Sequence, residues 1–290
     1  MLHRFVLHND RICEVTEPGL SPGQVGLLSG WGVFTTIRVA DGVLFAWDRH
    51  WARLTRDAAA LHVPVPVDKD TVHRQLIELV EGNHARNSTL RLVVVRNGGG
   101  MWAGPSTGRA SDVIALTADS KDWGSTVKLA YVHEARHAAS PFSGTKILSW
   151  AFNLTWAEQA QARGLDEAIL LNERGTVAEC TSANIFAAVG NQVWTPPLSA
   201  GCLPGITREL LLGEVHASGI DLIEKDLAPS DLESSDEVFI TSTTRNLLPV
   251  SEIEGKKVGR TDHVRAALSA AFDEYLSRYV AEHKSATLAK

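Results

Sequence analysis

Residues 162–186 read ARGLDEAILLNERGTVAECTSANIF. Gly164 is placed to end a helix, because glycine adopts the left-handed conformation that follows a helix C-terminus at little steric cost. The apolar runs on either side of Asn172 to Gly175 predict a β-hairpin that turns at those residues. The run NIFAAV predicts a further strand. This stretch therefore predicts a helix that leads into a β-hairpin and a sheet.

Helical and strand-like segments continue on both sides of this stretch. Upstream, helices are expected after Asp48, which can cap the first, and from about Asp70 to Gly82. Downstream, a helix from about Thr207 to Gly219 and another from about Asp262 are expected among the strand-like runs DLIEKDL and EVFITSTT. Because these segments are mixed rather than strictly alternating, we predict an α+β fold (an irregular two-domain α/β arrangement) over a doubly wound sheet.

The length and one polar segment predict two domains. The chain has 290 residues, which is long for a single hydrophobic core. Residues 119–125, DSKDWGS, are polar and turn-prone between the strand-like runs DVIALTA and VKLAYVH. We therefore expect a smaller N-terminal α/β domain over 1–118, a linker over 119–127 and a larger C-terminal domain over 128–290.

Composition and motif content exclude several classes of protein. The net charge of −6 argues against an overall attraction to nucleic acid or to anionic lipid, and no run approaches the ~18 apolar residues of a membrane-spanning helix. Phosphate-loop, dinucleotide-fold and zinc-hydrolase motifs are missing. The three cysteines lack paired spacing and the N-terminal residues lack a long apolar run. We therefore expect a cytoplasmic protein without a metal or a disulfide framework.

Two segments carry residues that suit a cofactor with a carbonyl group and a phosphate. Lys146, in the stretch SPFSGTKILSWAFN, is either an ordinary surface lysine or a partly desolvated amine that forms a Schiff base. In GCLPGITRE, residues 201–209, Thr207 is expected at a helix N-cap. The first amides of that helix either bind an anion such as phosphate or belong to a simple capped turn.

Two further segments are equally open when each is taken alone. The strand EVFITSTTRN, residues 237–246, ends in hydroxyl side chains that either bind phosphate or carboxylate oxygens or satisfy a turn. Glu179 is either a bystander at a strand end or a carboxylate that holds a protonated ring nitrogen. Together, a lysine, a phosphate-binding helix end and a carboxylate are the parts that a pyridoxal phosphate enzyme requires.

The order of these segments resembles the class IV (fold type IV) pyridoxal-phosphate-dependent aminotransferases. That family includes branched-chain and D-amino acid aminotransferases, R-selective amine transaminases and 4-amino-4-deoxychorismate lyases. The resemblance covers nearly the whole chain and rests on GWGVFTTIRVADG, DRHWARL, GTKILSWAFN, ARGLDEAILLNERGTVAECTSANIF, TPPLSAGCLPGITRELL and SDEVFITSTTRNLLPV. It implies the D-amino acid aminotransferase-like fold, with pyridoxal 5′-phosphate as the cofactor and a homodimer whose two subunits line the active sites.

The resemblance also implies roles for individual residues. Lys146 matches the Schiff-base lysine, which also moves a proton between the substrate Cα and the cofactor C4′. Glu179 matches the carboxylate that pairs with the pyridine nitrogen. The remaining cofactor contacts are expected from an arginine, a residue that packs on the ring, two residues of a helix end and a strand-tip hydroxyl: Arg53, Leu203, Ile206, Thr207 and Thr243.

Substrate residues are expected near the same site. Arg96 falls near an arginine that some members use around the substrate carboxylate. Thr244 and Arg245 follow the strand-tip hydroxyl, and Arg245 either pairs with a substrate carboxylate or is a solvated charge. Four aromatic residues either narrow a substrate pocket or pack in the core: Trp31, Phe34, Trp102 and Trp150.

Differences from the relatives indicate which reaction to expect. Ala151 stands where branched-chain enzymes usually have a tyrosine, five residues after the lysine, and Phe34-Thr35-Thr36 replaces their Phe-Glu-Gly. Phe-Thr-Thr-x-Arg-Val resembles aminodeoxychorismate lyases instead, whereas the intact LPGITR segment favours transamination. We expect a transaminase acting between a small amino acid or amine and a 2-oxo acid, with the pyruvate-eliminating lyase as the alternative. A non-catalytic cofactor-binding relative is disfavoured because Lys146, Glu179 and Arg53 are retained.

Overall fold

The computed structural model describes residues 1–21, 23–65, 68–100 and 108–288. The chain divides into two compact units. Unit 1 contains Met1–Lys121, the short segment Thr145–Trp150 and the chain from Tyr279 onward. Unit 2 contains Asp122–Gly144 and Ala151–Arg278.

Unit 1 is built on a six-stranded antiparallel sheet with two long helices. The strand order is β2-β1-β6-β5-β3-β4. The strands are β1 (Leu2–His8), β2 (Arg11–Glu14), β3 (Gly32–Ala40), β4 (Val43–Leu44), β5 (Ser88–Arg96) and β6 (Ser111–Asp119). The helices are α1 (Val25–Ser29), α2 (Trp47–Ala60) and α3 (Lys69–Gly82).

The unit 1 core forms because every second residue of its strands points to the helices. Ile37 and Leu90 face each other across β3 and β5, and both are fully buried with Leu54 of α2. Asp68 caps α3 by accepting the amides of Asp70 and Thr71 at 3.0 Å each. The expectation that Asp48 caps α2 was wrong. Ala46 holds that place in a left-handed conformation (φ 53°), so that Asp48 lies in the first turn, where a carboxylate favours the helix dipole.

Unit 2 is built on a nine-stranded mixed sheet with its helices. The main strand order is β12-β11-β10-β13-β14-β7-β8-β9, and β15 pairs with β14. The strands are β7 (Val127–Arg136), β8 (Glu167–Asn172), β9 (Val177–Cys180), β10 (Asn184–Val189), β11 (Gln192–Thr195), β12 (Asp221–Glu224), β13 (Glu237–Ser242), β14 (Asn246–Ile253) and β15 (Lys256–Lys257). The helices are α4 (Ala151–Ala162), α5 (Ile206–Gly213), α6 (Pro229–Ser234) and α7 (His263–Leu288), of which α7 belongs to unit 2 only up to Arg278, and a short 3₁₀ helix spans Leu198–Ala200.

Residues 162–186 form the elements expected of them. Gly164 follows α4 with φ 77°, and Gly175 turns the β8–β9 hairpin with φ 75°. One helix bound differs from expectation, because α5 ends at Gly213 rather than near Gly219. α4 begins at Ala151, two residues after Ser149, whose hydroxyl donates to the main-chain carbonyls of Ser29 and Gly30.

Two features of the described residues bear on the excluded classes. None of the described helices is both long and apolar enough to span a membrane. Within those same residues, no group of three or more histidine, cysteine or acidic side chains is placed to hold a metal ion.

Candidate active site

Lys146 lies in a short extended segment that covers one edge of β3. The carbonyl of Lys146 accepts the amide of Phe34 at 3.1 Å, and Leu148 donates its amide to the carbonyl of Gly32 at 2.8 Å. The amide of Lys146 donates in turn to Oδ2 of Asp57 on α2 at 2.9 Å. The main chain of the lysine is therefore fixed on both sides, by a strand and by a helix.

The ammonium group of Lys146 lies over an aromatic ring. Its Nζ is 4.6 Å from the centroid of Phe34, which is close enough for a cation–π interaction. Trp150 meets Phe34 edge-on with a centroid distance of 5.9 Å. Phe34 and Trp150 therefore flank the lysine, and both pack in a small apolar cluster with Val93 and Val95.

A second cation, Arg91, contacts the same ring. Its guanidinium carbon is 4.8 Å from the centroid of Phe34. Burial lowers the pKa of Arg91, and no acidic partner is paired with it among the residues that the structure describes. A half-buried cation in this position is suited to bind an anionic ligand group beside Lys146.

Arg53 is held in a buried polar chain on α2. Its Nη2 donates to Oγ1 of Thr35 at 3.1 Å, and the same oxygen lies 2.7 Å from Nδ1 of His50. His50 is completely buried. Burial, followed by the charges of Arg53 and Lys146, holds the pKa of His50 well below its usual value, so that the imidazole stays neutral beside two cations.

Glu179 lies on β9 in unit 2 and is held at both carboxylate oxygens. Arg136, at the end of β7, donates its Nε to Oε1 at 3.1 Å, and the amide of Leu203 donates to Oε2 at 3.0 Å. The glutamate is 8% exposed. A buried carboxylate with charged and neutral donors on both oxygens keeps a fixed orientation.

Leu203 links this carboxylate to the start of α5. Its carbonyl accepts Nδ2 of Asn184 and the amide of Gly205, each at 2.8 Å. Gly205 is the N-cap of α5 in an extended conformation, and a Cβ placed there would lie 2.0 Å from Oδ1 of Asn184. Glycine is therefore required by the close approach of Asn184 rather than by an unusual backbone angle.

The helix N-terminus differs from the expected one by two residues. Thr207 is the second helical residue rather than the N-cap, because Gly205 is the extended N-cap residue and the helix starts at Ile206. Within the described part of the chain, the amides of Ile206 and Thr207 have no hydrogen-bond acceptor, as is usual for the first turn of a helix. These amides can bind an anion.

The turn between β13 and β14 carries the expected hydroxyl groups. Ser242 and Thr244 have their hydroxyl oxygens 3.4 Å apart, and Thr243 is half-buried between them. Thr241, which lies opposite Asn184 across the sheet, has a buried hydroxyl without a partner among the described residues. An unsatisfied buried hydroxyl next to a helix end is consistent with a ligand that supplies the missing acceptor.

Arg245 is buried in the same turn. Its Nη2 donates to Oε2 of Glu167 at 2.8 Å, its Nη1 donates to the carbonyl of Ser182 at 3.1 Å, and it stacks 3.6 Å from the ring centroid of Trp123. The alternative of a solvated charge is wrong, because only 5% of this side chain is exposed. A role in binding a substrate carboxylate stays a prediction.

Other expected substrate residues lie elsewhere or outside the described chain. Arg96 donates to the carbonyls of Gly98 and His62 at 2.7 Å each and stacks over Trp31. Its role with substrate therefore also stays a prediction. Trp102 lies outside the described residues.

The sequence did not single out Asp57, Arg91, Arg136 or His50. Arg91 could have been found from strand alternation, since it shares a face with Val93 and Val95 that also includes Phe34. One face of α2 carries polar residues at helical spacing, namely His50, Arg53 and Asp57. The sequence reading missed this face because it followed the apolar residues of the same helix, such as Leu54 and Ala58. Arg136 gave no signal beyond its place at a strand end.

Each unit, taken by itself, carries groups that suit one part of pyridoxal phosphate. In unit 2, a buried carboxylate suits a protonated ring nitrogen, and the amides at the start of α5 suit a phosphate. In unit 1, an amine beside an aromatic ring suits a group that bonds to an aldehyde.

Comparisons with known proteins agree with the geometry. The sequence profile of the family described as amino-transferase class IV matches residues 32–253. A D-alanine aminotransferase from Bacillus licheniformis is 32% identical to this chain over 258 residues, which are 88% of this chain and 90% of that protein.

Solved structures extend the similarity to the fold. The branched-chain aminotransferase from Thermoproteus uzoniensis, solved with norvaline, superposes with a TM-score of 0.85 at 26% identity over 95% of each chain. A putative 4-amino-4-deoxychorismate lyase from Legionella pneumophila gives a TM-score of 0.82 at 24% identity over 90% of this chain and 96% of that one, a likeness of fold alone. The α+β prediction of the fold type IV class is confirmed.

Proposed function

Because the chain belongs to the class IV aminotransferase family, we propose that Lys146 is its catalytic lysine and that unit 2 supplies the carboxylate and the phosphate-binding helix end. Class IV aminotransferases use pyridoxal phosphate, and this chain is a pyridoxal-phosphate-dependent aminotransferase. It transfers an amino group between an amino donor and a 2-oxo acid. The proposed cofactor-binding residues are Arg53, Lys146, Glu179, Leu203, Ile206, Thr207 and Thr243.

One observation carries the cofactor-binding proposal. Leu203 donates its amide to Glu179, and α5 begins three residues later, at Ile206. A single short segment therefore links a fixed carboxylate to an anion-binding helix end. Pyridoxal phosphate carries a ring nitrogen and a phosphate on one rigid molecule, so this link supports the assignment of both groups to one cofactor.

The chain's own residues have distinct tasks in the proposed mechanism. When bound, pyridoxal phosphate supplies the aldehyde and an electron-withdrawing ring. The Lys146 amine would bond to that aldehyde and, once released, would move a proton at the substrate Cα. Glu179 would hold a proton on the ring nitrogen, and the amides of Ile206 and Thr207 would hold the phosphate in place.

The substrate proposal places the carboxylate of the 2-oxo acid near Arg91. This arginine contacts the same ring as Lys146, and its burial favours pairing with an anion. Phe34 and Thr244 are proposed as further substrate contacts. Arg96 and Arg245 remain in the proposal as predictions, although each would have to exchange an existing hydrogen bond to bind a carboxylate.

The donor is best identified with a panel of L-amino acids, D-amino acids and chiral amines. Each is mixed with the holoenzyme, and loss of the visible band of the lysine-bound cofactor is recorded without a 2-oxo acid. A transaminase stops after one equivalent and resumes when 2-oxoglutarate or pyruvate is added. Continued release of pyruvate from aminodeoxychorismate would instead establish the lyase, which the Phe34-Thr35-Thr36 sequence favours.

We also propose a homodimer with shared active sites. Helix α4 exposes Phe152 by 74% and Leu154 by 52%, and Phe142 before it is 51% exposed. Large apolar side chains left exposed at the start of a helix favour association with a partner. The proposal predicts a dimer by light scattering, and Phe152→Ser with Leu154→Ser should shift it toward monomer. A monomeric wild-type protein at enzyme concentrations of about 10 μM or more would contradict it.

The domain organisation and the compartment complete the proposal. We propose the domains 1–118 and 128–290 with the linker 119–127, which is supported by the strand-free residues 120–126 between β6 and β7. The compact units depart from this division at Thr145–Trp150 and from Tyr279 onward, which belong to unit 1. A cytoplasmic location is supported by three buried free thiols, Cys13, Cys180 and Cys202. Limited proteolysis at the linker and fractionation of the native host test these two points.

A further inference from the structure

Helix α2 buries a face that carries polar and charged side chains, whereas a helix packed on a sheet normally buries apolar ones. His50, Arg53 and Asp57 follow one another at spacings of three and four residues, so they share one face. They are 0%, 7% and 1% exposed. Burial of polar and charged side chains is costly unless their hydrogen bonds are made, so each member of this face requires a reason.

The reason for Asp57 lies in the main chain of Lys146. One carboxylate oxygen, Oδ2, accepts the amide of Lys146 at 2.9 Å. The other, Oδ1, accepts Nε of Arg56 at 2.9 Å and Nη2 at 2.5 Å. Because Arg56 is 50% exposed, its pair with Asp57 is partly screened by solvent and contributes little by itself.

A catalytic lysine needs a fixed main chain and a mobile side chain. The carbonyl of Lys146 is held by the amide of Phe34 in β3, whereas its amide is held by the side chain of Asp57. The residues before it, Ser143 to Thr145, lie in neither a helix nor a strand. Removal of Asp57 would therefore release the lysine on the side where the chain has the least regular structure.

We propose that Asp57 is a positioning residue that fixes the main chain of Lys146 so that its amine meets the cofactor aldehyde, an inference that rests on the proposed role of Lys146. Asp57 acts through the lysine and does not touch the cofactor itself. It also places Lys146 and Arg53 on one rigid support, because Asp57 lies one helical turn after Arg53 on α2.

The test compares two forms of the cofactor. Pyridoxal phosphate bonds to the lysine, whereas pyridoxamine phosphate has an amine in place of the aldehyde and cannot. Asp57→Ala should weaken equilibrium binding of pyridoxal phosphate at least about tenfold, as expected for a lost hydrogen bond to a charged acceptor. Binding of pyridoxamine phosphate should stay within about twofold of wild type. Borohydride trapping on Lys146, read by mass spectrometry, should fall in parallel.

Two variants serve as matched controls. Asp57→Asn keeps an oxygen that accepts the Lys146 amide and should restore pyridoxal phosphate binding to within about threefold of wild type. Asp48→Ala removes an exposed carboxylate from the same helix, one that pairs with Lys69, and should leave both affinities unchanged. If Asp57→Ala does not fold, Asp57→Ser replaces it, since its shorter side chain cannot reach the amide.

The outcomes separate this inference from the proposed function. Equal weakening of both cofactor forms would mean that Asp57 serves only the fold, and unchanged binding of both would mean that it does not position the lysine. Either result overturns the inference alone. If instead Lys146→Ala keeps the visible band and the trapped adduct, the proposed catalytic lysine is wrong, and the inference falls with it.

Discussion

Lys146 and Glu179 are held in opposite ways. The lysine is fixed through its main chain, which bonds to Asp57 and Phe34, while its ammonium group rests over an aromatic ring. The glutamate is fixed through its side chain, with Arg136 on one carboxylate oxygen and the amide of Leu203 on the other. Glu179 is buried and its side chain is secured by directional bonds, whereas Lys146 is half-buried and its main chain is secured by hydrogen bonds on both sides.

The difference follows from what each group must do. An amine that bonds to a substrate-reactive aldehyde and then carries a proton has to change position during the reaction. A cation–π contact is only weakly directional, so this contact does not by itself hold the lysine amine in one position. A carboxylate that stabilises charge on a ring nitrogen works best when it is already oriented and needs no reorganisation.

The largest effect is expected when the lysine is removed. Lys146→Ala removes both the covalent attachment and the proton carrier, so we expect turnover to fall on the order of 10⁴-fold. The amides of α5 and Glu179 remain, so the cofactor should still bind without its lysine bond. Steady-state kinetics with the identified donor measure the loss, and Lys128→Ala, an exposed lysine, is the control. Retention of more than a tenth of the activity would contradict the assignment.

The glutamate tests the other half of the comparison. Glu179→Gln keeps the shape but removes the charge, and we expect turnover to fall on the order of 10²-fold because charge on the ring is no longer stabilised. Binding of the cofactor should change much less. Arg136→Leu leaves the charge but removes one of its donors, so its effect should be smaller, about tenfold. An equal or larger effect of Arg136→Leu would show that orientation outweighs charge at this position.

A substitution at Gly205 tests the link between the Glu179 carboxylate and the start of α5. Gly205→Ala places a Cβ against Asn184, and we expect pyridoxal phosphate to bind about tenfold more weakly because Leu203 and the first amides of α5 must shift. Asn184→Ala in the same chain should relieve the clash. A double-mutant cycle that shows additive effects, measured by fluorescence titration, would mean that the two residues do not meet.

The sequence predicted which residues form this site more completely than it predicted the backbone and contacts around them. Glu179 and Lys146 were found because their neighbours resemble those of relatives, and the hairpin around Gly175 follows from local turn chemistry. Thr207 was misplaced at the N-cap because the sequence does not reveal that Gly205 is the extended residue that precedes the helix start at Ile206. A cap depends on backbone angles, and glycine permits several of them.

Contacts between segments that are distant in the sequence could not be predicted, for a different reason. Asp57 and Lys146 are 89 residues apart, and Arg136 and Glu179 are 43 apart. No periodic pattern connects such pairs, because they meet only after the sheet of each unit has formed. Arg245 illustrates the same limit, since its burial against Glu167 and Trp123 is set by tertiary packing rather than by its polar turn.

The smallest expected effect concerns the neutral histidine on the lysine side. The folded protein holds the pKa of His50 well below its usual value, whereas the unfolded chain titrates near 6.5. Below that pH the unfolded state binds a proton that the folded state does not, so the stability from the neutral ring is present above about pH 6.5 and is lost as the pH falls. His50→Asn, which keeps a partner for Thr35, should therefore reduce the slope of the unfolding free energy between about pH 6.5 and 5 by up to 1.4 kcal/mol per pH unit, about one proton. Denaturant melts across that range measure the slope, and the two proteins should run parallel above about pH 7.5. Identical slopes in wild type and variant would show that His50 carries its charge in the folded state, which would place a third cation beside Lys146 and Arg53.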